Sequence, residues 1–389
     1  MQVLGIDLGF GFTKATNGER ELVIKSVIGE SEALYAGRVA GIRNDAQHLH
    51  LELEDSSIFV GELAERQSAL RSFTLDQERF ITEAAKPLAL AVGSVLADQT
   101  QPIRLVTGLP ISTFRDKADE LARLLKGRHS FVTIASDGER KRVVLDFAEV
   151  HVIPQPFGSL YNMVLGADGT VSDPSVQREK IGVIDVGFHT TDFTVSDRTT
   201  FIERGSASTE SGIGRAFSTI AAKLREKSGV SVEVYRLYEA MESRRIKVRG
   251  NEYDLARLVE HVLSQLATDL ASEANRLWAD EWDMDSIVIT GGGGAVLAPY
   301  LAPLLSGRVL PVDETADARL MNVRGYHKFG RYLWGRATPG TETTALEPES
   351  SMTFESAAAP SVEPTLASTD DIETVEVDVD RTPAHLAPY

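Results

Sequence analysis

The chain is predicted to be an α/β protein of two lobes built on mixed sheets, with a cleft between them. Three observations lead there. The phrase Ile6-Asp7-Leu8-Gly9-Phe10-Gly11-Phe12-Thr13 returns 178 residues later as Ile184-Asp185-Val186-Gly187-Phe188-His189-Thr190-Thr191. Strand-like and helix-like stretches alternate around both copies. A third apolar strand, 287–290, runs straight into Gly291-Gly292-Gly293-Gly294.

Taken in order, residues 3–8 form an apolar strand. Residues 20–26 and 57–61 read as strands of a smaller layer, with the charged stretch 43–55 between them. Residues 76–98 carry the apolar spacing of a helix, with Pro87 as its kink or boundary. A buried strand at 103–107 leads through Gly108-Leu109-Pro110 to a helix at 114–126. A further strand at 142–152 ends in Pro154-Gln155-Pro156-Phe157-Gly158, and a helix begins at 159–165.

Residues 166–180 are polar and contain Gly and Pro, which predicts a surface loop. The strand 181–186 opens the second half, followed by helices at 212–227 and 254–280. The second helix repeats Leu255, Leu258, Val259, Val262, Leu263, Leu266 and Leu270 in a stripe, which is expected to be core.

The 389 residues are enough for two lobes with real cores, since a single core stops growing near ~250–300 residues. No apolar run approaches the ~20 residues needed to span a bilayer. The chain starts on a strand pattern without a basic–apolar leader, so a cytoplasmic location and no transmembrane segment are expected. Without cysteine the chain has no disulfide, thiolate metal site or cysteine nucleophile. Eleven acids and one arginine follow residue 336, so that stretch holds ten of the seventeen net negative charges. The remaining body is mildly acidic, which argues against direct nucleic-acid binding. Residues 337–389 are rich in Thr, Ser, Pro, Glu and Ala, a composition expected to stay disordered.

The chemistry sits in the three loops. Each Asp-x-Gly turn aims a carboxylate and a run of backbone N–H groups at one point, a geometry that suits a metal-bound polyphosphate. In the first loop Gly9, Gly11, Thr13 and Lys14 supply donors, a hydroxyl and an ammonium. The Gly-x-x-x-x-Gly-Lys-Ser/Thr spacing of a P-loop is absent. In the second, Thr190, Thr191 and the N–H groups around Gly187 are expected to hold the terminal phosphate, while His189 is a weak catalytic candidate. The bare backbone of Gly291, Gly292 and Gly293 admits a ring or a ribose–phosphate, next to a helix N-terminus that favours negative charge.

As a set, residues 6–14, 184–192 and 287–294 resemble the phosphate-1, phosphate-2 and adenosine motifs of the actin/sugar-kinase/heat-shock-chaperone ATPase superfamily. Phe59-Val60-Gly61-Glu62-Leu63-Ala64, Val106-Thr107-Gly108-Leu109-Pro110 and Ala318-Arg319-Leu320-Met321-Asn322-Val323-Arg324-Gly325-Tyr326 look like plasmid-segregation actins of the ParM/StbA type and archaeal actin-like proteins. The resemblance covers about residues 1–336.

It implies a two-lobed actin-like, ribonuclease H-like duplicated ATPase fold with a central nucleotide cleft. The first lobe would span 1–162, with a smaller subdomain at about 20–90, and the second 163–325. A terminal helix at 326–336 would return to the first lobe. Further implied are ATP and Mg²⁺ held through Asp7 and Asp185, with Gly212 and Gly214 near the nucleoside. Gln155 would stand where the superfamily orients its attacking water. A neutral amide aligns water but accepts a proton poorly, so hydrolysis is expected to be slow.

The leading expectation is a filament-forming ATPase that polymerises with itself and moves DNA or other cargo, through a DNA-binding adaptor protein where DNA is the cargo. The alternatives are a small-molecule kinase of the same superfamily, which would need an acid where Gln155 stands, and a nucleotide-switched scaffold.

Overall fold

A run of four consecutive buried residues, 4–7, sets the first apolar stretch inside a sheet. In the computed structural model, which describes residues 2–31, 48–54, 56–311 and 317–335, strand β1 is Gln2–Leu8, with Leu4 and Ile6 fully buried. It is followed by β2 (Phe12–Thr16), β3 (Glu21–Lys25), β4 (Ile28–Glu30), β5 (Leu49–Glu52), β6 (Ser57–Val60), β7 (Arg71–Ser72), β8 (Ile103–Leu109), β9 (Gly127–Ile134) and β10 (Arg140–Pro154). Among the described residues these ten strands join in the order β3-β2-β1-β8-β10-β9-β5-β6-β4-β7. The second sheet takes β11 (Lys180–Val186), β12 (Thr191–Asp197), β13 (Thr200–Thr209) and β16 (Ser286–Thr290), while β14 (Arg245–Val248) and β15 (Asn251–Asp254) form a separate hairpin. The described residues all fall within one compact unit.

The two sheets repeat one plan. The run β3-β2-β1-β8 matches β13-β12-β11-β16 in order, with the first three strands antiparallel and the fourth parallel to the third. Beyond the fourth strand, β10 continues parallel to β8, and a parallel bridge from Ile287 to Val309 continues beyond β16. Even the register agrees. Asp7 lies opposite Lys14 on β2, and Asp185 lies opposite Asp192 on β12, seven residues on in both copies. Each sheet carries its own apolar core.

Several local readings are corrected. The strand at 21–25 pairs with β2 in the main run of the first sheet, not in a smaller layer; the strand at 57–60 does lie in that outer run, beside β5 and β4. Within the charged stretch 43–55, Leu49–Glu52 is a strand whose first three residues are buried; residues 43–47 lie outside the described residues. Strand β9 went unseen because Arg128, His129 and Ser130 give it a polar, half-exposed pattern. The helical stretch from Gln77 to Leu96 passes through a π-helical turn at Phe80–Ala85 just before Pro87. A proline offers no N–H to the carbonyl four residues back and crowds it, so the turn widens there. The stripe along the helix Ala256–Leu277 is core, with Val259, Val262, Leu263, Leu266 and Leu270 buried. The expected disorder at 337–389 lies outside the described residues.

The helix Met321–Gly335 packs on the helix Pro156–Val164 and on β1 and β8. The two helices cross at backbone distance. A Cβ on Gly325 would fall 1.6 Å from the Gly158 carbonyl oxygen, and one on Gly158 would fall 2.6 Å from that of Asn322. Gly325→Ala is therefore expected to destabilise by roughly 1–3 kcal/mol or more, as an overpacked contact does. At the open end of the same helix a Cβ on Gly335 would meet nothing within 4 Å, so Gly335→Ala should be neutral. Urea unfolding of the two variants checks both statements.

Candidate functional site

Both acid–glycine turns open at the carboxyl ends of the parallel strands, where α/β sheets place their ligands. They face one cavity of about 210 Å³. The first sheet contributes Gly9, Gly11, Lys14 and Gln155 to its wall; the second contributes Gly187, His189, Thr190, Gly292 and Gly293. These wall positions were singled out in the sequence.

The turns are tight for the same reason in both copies. A Cβ on Gly9 would sit 2.8 Å from the Phe12 carbonyl oxygen, and one on Gly187 would sit 3.0 Å from that of Thr190. Gly291 takes φ 85°, with the Asp185 carboxylate 2.2 Å from where its Cβ would be. No side chain caps the helix Gly292–Leu301, so its first-turn N–H groups are open to a ligand at Gly292 and Gly293.

The aspartates form the floor rather than the wall. Asp7 is 1% exposed; its carboxylate accepts from the Lys14 ammonium at 2.9 Å and from Gln155 Nε2 at 3.1 Å. Asp185 is 2% exposed and accepts from Asn322 Nδ2 at 2.6 Å. Burial drives the Asp185 carboxyl up to about 6; Asn322 opposes the rise, the Asp7 charge adds to it, and Lys14 opposes it. Asn322 also ties the floor to the helix crossing. Its Oδ1 accepts from the Ser159 amide at 3.0 Å and the Ser159 hydroxyl at 2.7 Å, and Ser159 Oγ meets Thr290 Oγ1 at 2.6 Å.

Thr13 and Thr191 are not brought to the cavity wall. Both are fully buried, with Thr13 bonded to the Ser26 hydroxyl and Thr191 donating to the Ser211 carbonyl. Neighbours along a strand point to opposite faces, so the cavity side takes Lys14 and turns Thr13 away. Gly212 and Gly214 stand behind the second turn, their N–H groups donating to His189 and Phe188 carbonyls at 2.8 and 2.7 Å. His189 packs its ring edge against Phe10 at 4.9 Å.

Sequence reasoning missed Asn322, Ser159, Thr290 and Asp192, together with Tyr238, Met241, Glu242 and Arg319 on the cavity wall. Asp192, Thr290, Arg319 and Asn322 lie inside the stretches 184–192, 287–294 and 318–326 that the sequence had singled out, but no side-chain role had been read from them. A set of contacts running outward from Phe12 and Tyr238 on the cavity wall was missed too. Phe12 meets Tyr238 at 4.5 Å, Glu65 bonds Lys25 at 2.5 Å and Arg236 at 3.4 Å, and Arg71 meets Glu233 at 3.1 Å.

Among the described residues no group of three or more His, Asp or Glu could hold a metal by itself. Two buried carboxylates beside paired glycine turns nevertheless fit Mg²⁺, which takes one or two carboxylates and completes its shell with water and ligand oxygens.

Two family descriptions match the chain. The N-terminal domain of actin-like proteins matches residues 5–158, and the C-terminal domain of the archaeal MreB-like actin homologue matches 183–302. Among solved structures, a 15-stranded ParM filament from Clostridium botulinum is 25% identical with a TM-score of 0.71, covering 85% of this chain and 99% of that one. The archaeal actin homolog Ta0583 in complex with ADP is 19% identical with a TM-score of 0.67, covering 84% and 98%. Bacillus thuringiensis ParM with AMPPNP is 16% identical with a TM-score of 0.64, covering 84% and 97%. At those lower identities the likeness is one of fold. No curated protein sequence matches the chain.

Asp192 gives the fold a pH-dependent stability. Burial pushes its carboxyl up to about 7; the Ser208 hydroxyl opposes this, Asp185 reinforces it, and the Ile111 amide opposes it. An unfolded chain releases that proton near 3.8. Between the two values the folded protein holds a proton that the unfolded chain has lost, so this group's contribution to stability falls as pH rises. Burial drives His50 and His327 down to about 4, which tilts stability the other way, so the variant must be compared with the parent. Asp192→Asn is expected to gain stability relative to the parent from pH 5 to pH 8, read as the difference in Tm across that range.

Proposed function

We propose that this chain, which belongs to the actin-like proteins, binds Mg-ATP in the cavity between its two sheets, hydrolyses it slowly and assembles with itself into filaments. The observation that carries the reading is the facing pair of acid–glycine turns, with a glycine-started helix N-terminus closing the third side. Three backbone donor sets and one ammonium converge where a triphosphate would lie.

Lys14 would neutralise phosphate charge as a point cation while held against Asp7. Gly9, Gly11, Gly187 and Thr190 would surround the β- and γ-phosphates. Gly291, Gly292 and Gly293 would lie along the nucleoside. Asp7 and Asp185 would hold Mg²⁺, which when bound offsets the negative charge of the phosphates. Gln155 donates its amide N–H to Asp7, which leaves Oε1 as the acceptor that orients water at the cavity wall. Without a strong base there, the reaction would serve as a timer.

The solved relatives named with ADP, with AMPPNP and as a filament support nucleotide use and self-assembly here. A role in partitioning DNA or positioning cargo in the cytoplasm through an adaptor protein accords with the mildly acidic body. No described helix is long and apolar enough to cross a membrane.

Calorimetry and phosphate release test the reading. The parent should take up Mg-ATP, and Asp7→Ala with Asp185→Ala should abolish the uptake. Gln155→Ala should slow phosphate release by roughly 10²-fold while altering ATP affinity little. Absence of ATP uptake by the parent, or full uptake by the double variant, would overturn it.

A further inference from the structure

Trp282 is 89% exposed, the most exposed large apolar residue among the described residues. A lone surface aromatic means little; this one stands on a fixed pedestal. Its flanking residues Glu281 and Asp283 both bond the Lys180 ammonium at 2.5 Å, and Arg204 reaches Glu281 at 3.1 Å. Asp285 bonds Lys180 through both its amide and its carboxylate, at 2.9 and 2.8 Å. Beneath the loop, Met284 and Trp278 pack against Gly182. Four acids, Asp280, Glu281, Asp283 and Asp285, against Lys180 and Arg204 leave the surface around Trp282 acidic.

The same helix that ends at this loop begins at a surface of opposite sign. Ala256–Leu277 has 22 residues, roughly 33 Å of helix. At its start lies the β14–β15 hairpin, joined through the Leu255 amide to the Arg244 carbonyl at 2.8 Å. The hairpin turns tightly at Arg249 and Gly250, with φ 49° and 86°, which makes it a stiff two-residue turn. Arg245 is paired with Glu252, while Lys247 and Arg249 are exposed. Arg244, Arg245, Lys247 and Arg249 outnumber Glu252 and Asp254.

We propose that the Trp282 loop of one copy docks on the β14–β15 hairpin of a second copy, head to tail. Lys247 or Arg249 would lie over the indole and pair with Asp280, joining a cation–π contact to an ion pair. Unlike patches at opposite ends of one rigid helix give a heterologous contact, which propagates as an open polymer when the rotation does not close a ring. The inference rests on the self-assembly reading above and specifies its longitudinal contact.

Trp282→Glu, and separately Lys247→Glu with Arg249→Glu, should each raise the critical concentration for ATP-dependent assembly by about tenfold or more. Both should retain ATP uptake by calorimetry and the parent's Tm. Each variant keeps one intact end, so an equal mixture should form dimers in sedimentation velocity, whereas neither variant alone does. Parent-like assembly of either variant, or no dimer in the mixture, overturns this contact and leaves the function standing. An unaltered chain that binds ATP yet never assembles overturns both the contact and the filament.

Discussion

Two buried carboxylates, one from each sheet, must be kept at the base of a single cleft, and the surrounding structure is organised by that constraint. Taking a carboxylate out of water is costly unless hydrogen bonds replace the lost hydration. Asp7 has Lys14 and the Gln155 amide; Asp185 has the Asn322 amide. Gln155 caps one helix of the crossing and Asn322 lies in the other, so the charged floor and the helix crossing are tied together. Ser159 and Thr290 extend the same network into β16. The result is a cleft whose acids are fixed before any ligand arrives.

Above the floor, the walls follow from local backbone needs. Glycine stands where a neighbouring carbonyl leaves no room for Cβ, and at Gly187 the N–H itself closes the turn by donating to the Thr190 carbonyl at 2.9 Å. Beside the walls lies a different kind of contact, built from side chains of strands and helices: the tilted Phe12–Tyr238 ring pair and the ion pairs around Glu65. Its ion pairs are partly exposed, so they are weak individually and sensitive to salt. The cleft thus has a rigid base and a looser rim, the distribution expected of a site that admits and then retains a ligand.

Much of this was legible because Asp, Gly and strand-forming runs carry strictly local instructions. The repeat at Asp7 and Asp185 located both turns and predicted a duplicated plan, and the stripe on Ala256–Leu277 announced a buried face. What stayed hidden depends on distance along the chain. Asn322 meets Ser159 across 163 residues, and nothing near either residue signals the other. Thr13 and Thr191 looked like phosphate ligands because their loops were right; the alternation of a strand, set by register, faced them inward. Strand β9 was obscured by its charged outer positions.

The cross-strand pair also breaks the resemblance between the halves. Where one half sets an ammonium opposite its aspartate, the other sets a second carboxyl that holds its proton up to about neutral pH. A duplicated scaffold left chemically even would offer an elongated anion two equivalent poses. Lys14 on the cavity wall breaks that evenness, whereas Asp192 lies off the wall, held by the Ser208 hydroxyl and the Ile111 amide. The two halves thus differ in charge at a pair of matched positions.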